Sequence, residues 1–273
     1  MAITMADITH LRKMTGAGMM DCKNALTEAE GDFDKAIEII RKKGQAVAAK
    51  REDREASEGC VLAASNGDFS AIVALKCETD FVAKNADFVA LTQQILDLAL
   101  AQQPATKEEL EIASLDGRPV SEWITEKIGV TGEKMELGFY EFVKAPVTGS
   151  YIHSGNKLAT IVGFNQALDN QVARDIAMQV AAMNPVALNK ESVPAEIIEK
   201  ELNIAKEKAR EEGKPENMVD KIAEGRLNKF YKEVCLLQQE FIKDAKINIE
   251  QYLKEQDKAL TVSGFKRVTL NID

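Results

Sequence analysis

Cysteine and histidine are the side chains best suited to nucleophilic or metal chemistry, and this 273-residue chain uses few of either. Cys22, Cys60, Cys77 and Cys235 stand apart, no two at metal-ligand or redox spacing, and the histidines are His10 and His153. A zinc site needs several such ligands to converge. Four separate, inert thiols in a reducing compartment are therefore the expectation. A nucleophilic site of Cys77, Asp80 and His153 has nothing in the sequence to bring His153 to Cys77. Thr15-Gly16-Ala17-Gly18 has the look of a phosphate loop, but a cradle needs a strand before it, and here a helix precedes. Helix cap and turn is the better reading. Gly213-Lys214-Pro215 fails likewise, because proline removes a backbone donor. No catalytic residue, metal or cofactor follows from these motifs.

The informative residues are Glu78-Thr79-Asp80-Phe81-Val82-Ala83-Lys84, between an apolar strand and a helix. Two readings stand. Thr79 or Asp80 caps the helix while Phe81 or Val82 folds back as a hydrophobic staple. Alternatively, the aromatic projects from the corner and enters a partner's pocket.

The elements that must position this corner are legible from periodicity and breakers. Three short helices are expected in the first 45 residues. Thr4 to Asp7 caps the first, with Ile8, Leu11 and Met14 as its stripe, and Gly16 and Gly18 end it. Met19, Cys22, Leu26 and Ala29 mark the second. Asp32 caps the third, with Phe33, Ile37 and Ile40 on one face and Gly44 as its stop. So small a bundle suits a docking module, and removing residues 1–54 is expected to leave a folded core. A hairpin follows, Cys60 to Ala64 and Phe69 to Cys77 around Asn66-Gly67. Then comes a helix with Phe88, Leu91, Ile95 and Leu98 on one face.

The order recurs downstream. Gly149 to His153 and Leu158 to Phe164 make a second hairpin, and a helix with Val172, Ile176 and Val180 follows it. Two such units suggest a duplicated α+β core. Between the copies lie two short helices (residues 107–130) and a strand from Met135 to Val143. A charged helix after Pro194 and a second one carrying Met218, Ile222 and Phe230 form an antiparallel helical hairpin. A short helix near Ile249 to Lys254 and a strand from Leu260 to Leu270 close the chain.

The formal net charge is −9, from 44 acidic and 35 basic residues. Nucleic-acid binders usually present a basic face. The basic stretch Arg41, Lys42, Lys43, Lys50, Arg51 and Arg54 is interleaved with Glu52, Asp53 and Glu55, as on a solvated face. No apolar run is long enough to span a bilayer, and the start lacks a secretory pattern, so a cytoplasmic chain is expected.

Thr15-Gly16-Ala17-Gly18-Met19-Met20-Asp21-Cys22-Lys23, followed by Ala25-Leu26, closely resembles the N-terminal signature of the elongation factor Ts family. Thr79-Asp80-Phe81-Val82-Ala83-Lys84 is similar to that family's second signature. His153 after Gly149-Ser150-Tyr151, and Gly225-Arg226 before Lys229-Phe230, look like further landmarks. The resemblance runs in order through nearly the whole chain.

It implies an α+β fold with a ubiquitin-associated-like three-helix domain (1–45), a linker (46–57) and two related core subdomains (58–144; 145–190 with 235–273). A helical hairpin (191–234) would serve dimer contacts. It also implies a guanine nucleotide exchange factor for elongation factor Tu, with no covalent chemistry, cofactor, membrane or direct nucleic-acid contact. A homodimer, or a heterotetramer with elongation factor Tu, fits that picture. Thr79, Asp80, Phe81 and Val82 would dislodge the partner's magnesium, with Met19, Met20, Asp21, Lys23 and His153 as docking residues. Some members continue past the last strand into a helix that touches the partner. With this chain stopping at Asp273, that contact is expected to be missing.

Overall fold

A computed structural model describes residues 3–271. Three helices open the chain: α1 (Met5–Thr15), α2 (Met19–Glu28) and α3 (Phe33–Lys50). Thr4 and Asp7 form a capping box at the head of α1, and Gly16 closes it in the left-handed region at φ 68°. Asp32 caps α3 by accepting from the Lys35 N–H at 3.1 Å. Ile8, Leu11, Cys22, Leu26, Ala36 and Ile40 form the small buried centre of this bundle.

The first core copy follows: β1 (Glu58–Asn66), β2 (Phe69–Cys77), α4 (Asp80–Ala83), α5 (Ala86–Gln102), α6 (Lys107–Ile112), β3 (Ser114–Leu115), β4 (Arg118–Pro119), α7 (Val120–Thr131) and β5 (Met135–Lys144). β1 and β2 turn at Gly67, whose φ of 67° suits glycine. The sheet order is β1-β2-β5. β2 is central and buried nearly throughout, while α5 buries Phe88, Leu91, Ile95, Leu96 and Ala99.

The second copy holds β6 (Val147–Ile152), β7 (Leu158–Phe164) and α8 (Asn170–Met183). Next come α9 (Ala195–Glu211), α10 (Glu216–Val234), β8 (Glu240–Phe241), β9 (Asp244–Asn248), α11 (Ile249–Gln256) and β10 (Val262–Thr269). Its sheet runs β10-β7-β6, so hairpin, helix and returning strand are connected as in the first copy. All seven residues of β7 are buried. Of these, Val162 and Phe164 pack with Val172, Ile176 and Val180 of α8 and Leu253 of α11. A Cβ on Gly149 would lie 2.9 Å from the Ala173 Cβ, so that glycine lets α8 lie close on β6.

Two local expectations need correction. Gly44 does not stop α3, which continues to Lys50. A Cβ on Gly129 of α7 would lie 2.6 Å from the Gly44 Cα, so the two helices cross backbone on backbone. Gly44 is glycine to admit α7, not to end a helix. Removing residues 1–54 would therefore strip α3 from α7 rather than release a free-standing module. In α10, Met218 is 41 % exposed, whereas Val219 and Ala223 are buried. Together with Ala205 and Ala209 of α9 they make a seam of small residues, which lets the antiparallel pair approach closely.

The described residues fall into two compact units, one of residues 3–62, 73–141 and 270–271, the other of 63–72 and 142–269. Among the described residues no helix is long and apolar enough to cross a membrane.

Candidate functional site

The corner after β2 is built by two caps in quick succession. Thr79, in extended conformation, accepts from the Val82 N–H at 3.4 Å and starts the single turn α4. Asn85 then accepts from the Asp87 N–H at 2.9 Å and starts α5. Ala83 is buried and holds the turn down. Phe81, on the opposite side, is 83 % exposed. Phe81 does not fold back as a staple: it points away from the fold, whereas Val82 is half-buried. Leaving a phenylalanine in water forgoes about 1.5–3 kcal/mol of burial, a sacrifice the fold does not need. Asp80 pairs with Lys84 at 2.6 Å, but both are solvated and the pair adds little.

The base of the corner is braced by polar groups. Glu133 accepts from the Thr79 N–H at 3.1 Å and from its hydroxyl at 2.6 Å. Glu78 accepts from the Lys134 N–H at 2.7 Å and from Arg54 at 3.1 Å, with Arg51 at 3.6 Å. The Lys134 N–H holds the Glu78 carboxyl below the usual carboxylate range; burial opposes this, and Arg54 and Arg51 reinforce it. Beneath them the Cys77 thiol donates to the Thr79 carbonyl at 3.2 Å. Burial pushes that thiol up to about 12, so Cys77 is packing rather than a nucleophile.

The other candidates lie elsewhere. On α2, Met20 is 64 % exposed and Lys23 is exposed on the same face, three residues on. Met19 is turned partly into the bundle centre. Asp21 is half-buried and pairs with Lys43. Met5 and Met14 of α1 are exposed as well, a feature the apolar stripe did not announce. His153 belongs to the other unit, in the turn between β6 and β7, where its Nδ1 lies 3.1 Å from the Tyr151 hydroxyl. Among the described residues no group of three or more His, Cys, Asp or Glu could hold a metal ion.

Glu133 escaped the sequence reading. It is 54 residues from Thr79, and nothing local to either position signals the pairing.

A braced corner that holds out one aromatic, on an α+β scaffold, is the arrangement of a partner-binding protein. The family model "Elongation factor TS" matches residues 78–271. An elongation factor Ts of Porphyromonas gingivalis is 65 % identical, the alignment covering all of both chains. Those of Azobacteroides pseudotrichonymphae and Bacteroides thetaiotaomicron are 59 % and 48 % identical, again with full coverage of both chains. The chain belongs to the elongation factor Ts family, translation elongation factors with nucleotide exchange function.

Proposed function

We propose that this chain binds elongation factor Tu carrying GDP, dislocates its magnesium ion and so releases the nucleotide for GTP to enter. The observation that carries this reading is the outward, braced Phe81 within Thr79–Val82. Magnesium demands near-octahedral coordination and in nucleotide sites bridges protein and phosphate. A ring driven between partner helices need move them by only an ångström or so to spoil that geometry. No bond is made or broken by the chain itself, so it works without catalytic residues or a cofactor of its own.

Magnitudes limit what the ring does alone. Burying Phe81 gains ~1.5–3 kcal/mol, whereas weakening a nucleotide a thousandfold requires ~4 kcal/mol of coupling. Further contacts must supply the rest. Met20 and Lys23 on the exposed face of α2, with Met19 and Asp21 behind them, and His153 in the other unit are the docking residues we assign. By linkage, the chain must bind nucleotide-free partner more tightly than loaded partner. The reading implies a cytoplasmic protein that meets the translation apparatus through a protein, without direct contact to nucleic acid. The α9–α10 hairpin is the surface we assign to self-association, as homodimer or within a heterotetramer.

The test is release of fluorescent GDP from elongation factor Tu, with and without this chain. Phe81→Ala should slow stimulated release by at least ~10-fold, about 1.4 kcal/mol of lost coupling. Its thermal stability should barely change, because an exposed ring has little to lose on truncation. Asp80→Ala is the control for the neighbouring charge. Release at the wild-type rate by folded Phe81→Ala would refute the wedge.

A further inference from the structure

We propose that Glu133 is the positioning residue of the corner: by holding Thr79, its carboxylate fixes the direction in which α4 leaves β2 and hence where Phe81 stands. The inference rests on the wedge reading of Phe81.

The first support is the economy of the contact. One carboxylate takes both donors of Thr79, the backbone N–H at 3.1 Å and the hydroxyl at 2.6 Å. The hydroxyl bond to the carboxylate is of the short, strong kind. Because the hydroxyl proton is directed to Glu133, its lone pair is left to face the Val82 N–H, one of the free donors in the first turn of α4. α4 has four residues. A helix of one turn cannot hold its own direction, since nucleation costs more than so few bonds return. Its orientation must be imposed from outside, and Glu133 is on Thr79, the residue where α4 begins.

The second support is reciprocity. Glu78 sends its side chain the other way, accepting from the Lys134 N–H at 2.7 Å. Two consecutive corner residues and two consecutive residues after α7 are thus stapled side chain to backbone in both directions.

The third support is the rigidity of the anchor. Glu133 follows Gly132, the left-handed cap of α7, whose N–H returns to the Ile128 carbonyl. α7 in turn is fixed on α3 at the Gly44–Gly129 crossing. A docking strain on the three-helix bundle would therefore reach the corner through α7 and Glu133.

The experiment uses the full chain and elongation factor Tu loaded with fluorescent GDP, across a range of chain concentrations. Glu133→Ala should lower the saturating release rate about 10-fold while the half-saturating concentration stays within about 2-fold, because docking surfaces are untouched. Glu133→Gln, which keeps one acceptor for the hydroxyl, should fall between Glu133→Ala and wild type. Adding Phe81→Ala to Glu133→Ala should give the rate of Phe81→Ala alone, since the carboxylate acts only through the ring. A saturating rate for Glu133→Ala equal to wild type, or two losses that multiply, would overturn the positioning role while leaving a slow Phe81→Ala intact. Normal release by Phe81→Ala would instead overturn the wedge, and this inference with it. Should Glu133→Ala fail to fold, the isosteric Glu133→Gln decides alone: slowed release supports the role and wild-type release overturns it.

Discussion

Glu78 keeps its charge because the Lys134 N–H, Arg54 and Arg51 all face it, and together they outweigh the cost of its partial burial. A carboxylate with a depressed folded pKa contributes stability above its unfolded value and loses it as pH falls through the folded value. The ordinary glutamate value here is 4.5, so the contribution should be complete at neutral pH and fade below that point. Thermal unfolding between pH 7 and pH 3 should show the native chain losing more stability in acid than Glu78→Gln does. Parallel curves for the two proteins would mean that the pairing does not matter to folding. At this same scale the corner was half legible in the sequence. Thr79 as a cap is a local property and could be read. The direction of Phe81 could not, because both a staple and an anchor begin with that cap. What decides between them is the brace from Glu133 and Lys134, more than fifty residues away.

The crossing of α3 and α7 turns on two glycines, and it makes a sharp contrast with a third. At Gly129 an added Cβ would lie 2.6 Å from backbone, which cannot move aside as a side chain end can. Gly129→Ala should destabilise the protein by about 1–3 kcal/mol, as overpacking does. Gly225, inside α10, has nothing within 4 Å of an added Cβ. Gly225→Ala should therefore raise stability by about 0.5–1 kcal/mol through helix propensity alone. Denaturant midpoints at constant slope measure both, and a neutral Gly129→Ala would mean the helices can part without cost. These glycines also explain what the sequence disclosed and withheld. Thr4 with Asp7, Asp32, and Asn66-Gly67 act on their own neighbours, so each announced its element. Gly44 acts on α7, some eighty residues away, and so read as a helix stop. Val219 and Ala223 are small, and lost to the larger Met218 in any reading by hydrophobicity. The β8–β9 ribbon is short and polar, and no alternation marked it.

The duplication is a property of the molecule as a whole, and it shows where each copy tolerates an insert. In the second copy the insert is the α9–α10 hairpin. Its base is pinned by bonds from the Leu236 N–H to the Ala187 carbonyl at 2.9 Å and from the Leu237 N–H to the Leu188 carbonyl at 3.0 Å. Ala187 and Cys235 also form a parallel bridge, so the two ends of the insert leave and re-enter side by side. Replacing residues 195–233 with a short glycine-serine loop should therefore leave a folded chain with most of its exchange activity. If the hairpin mediates self-association, sedimentation mass should fall to that of a monomer. An unchanged mass together with collapsed exchange would reverse the assignment. Ion pairs such as Arg210–Glu216 and Arg226–Glu212 hold the far end together around Gly213, whose φ of 71° makes a tight tip. With α9 rising ~1.5 Å per residue over 17 residues, that tip stands ~25 Å along the helix from its base. A dye, an affinity tag or a surface tether fixed there would ride on a stiff arm one helix length from the Ala187–Cys235 base, an attachment point for watching single exchange events.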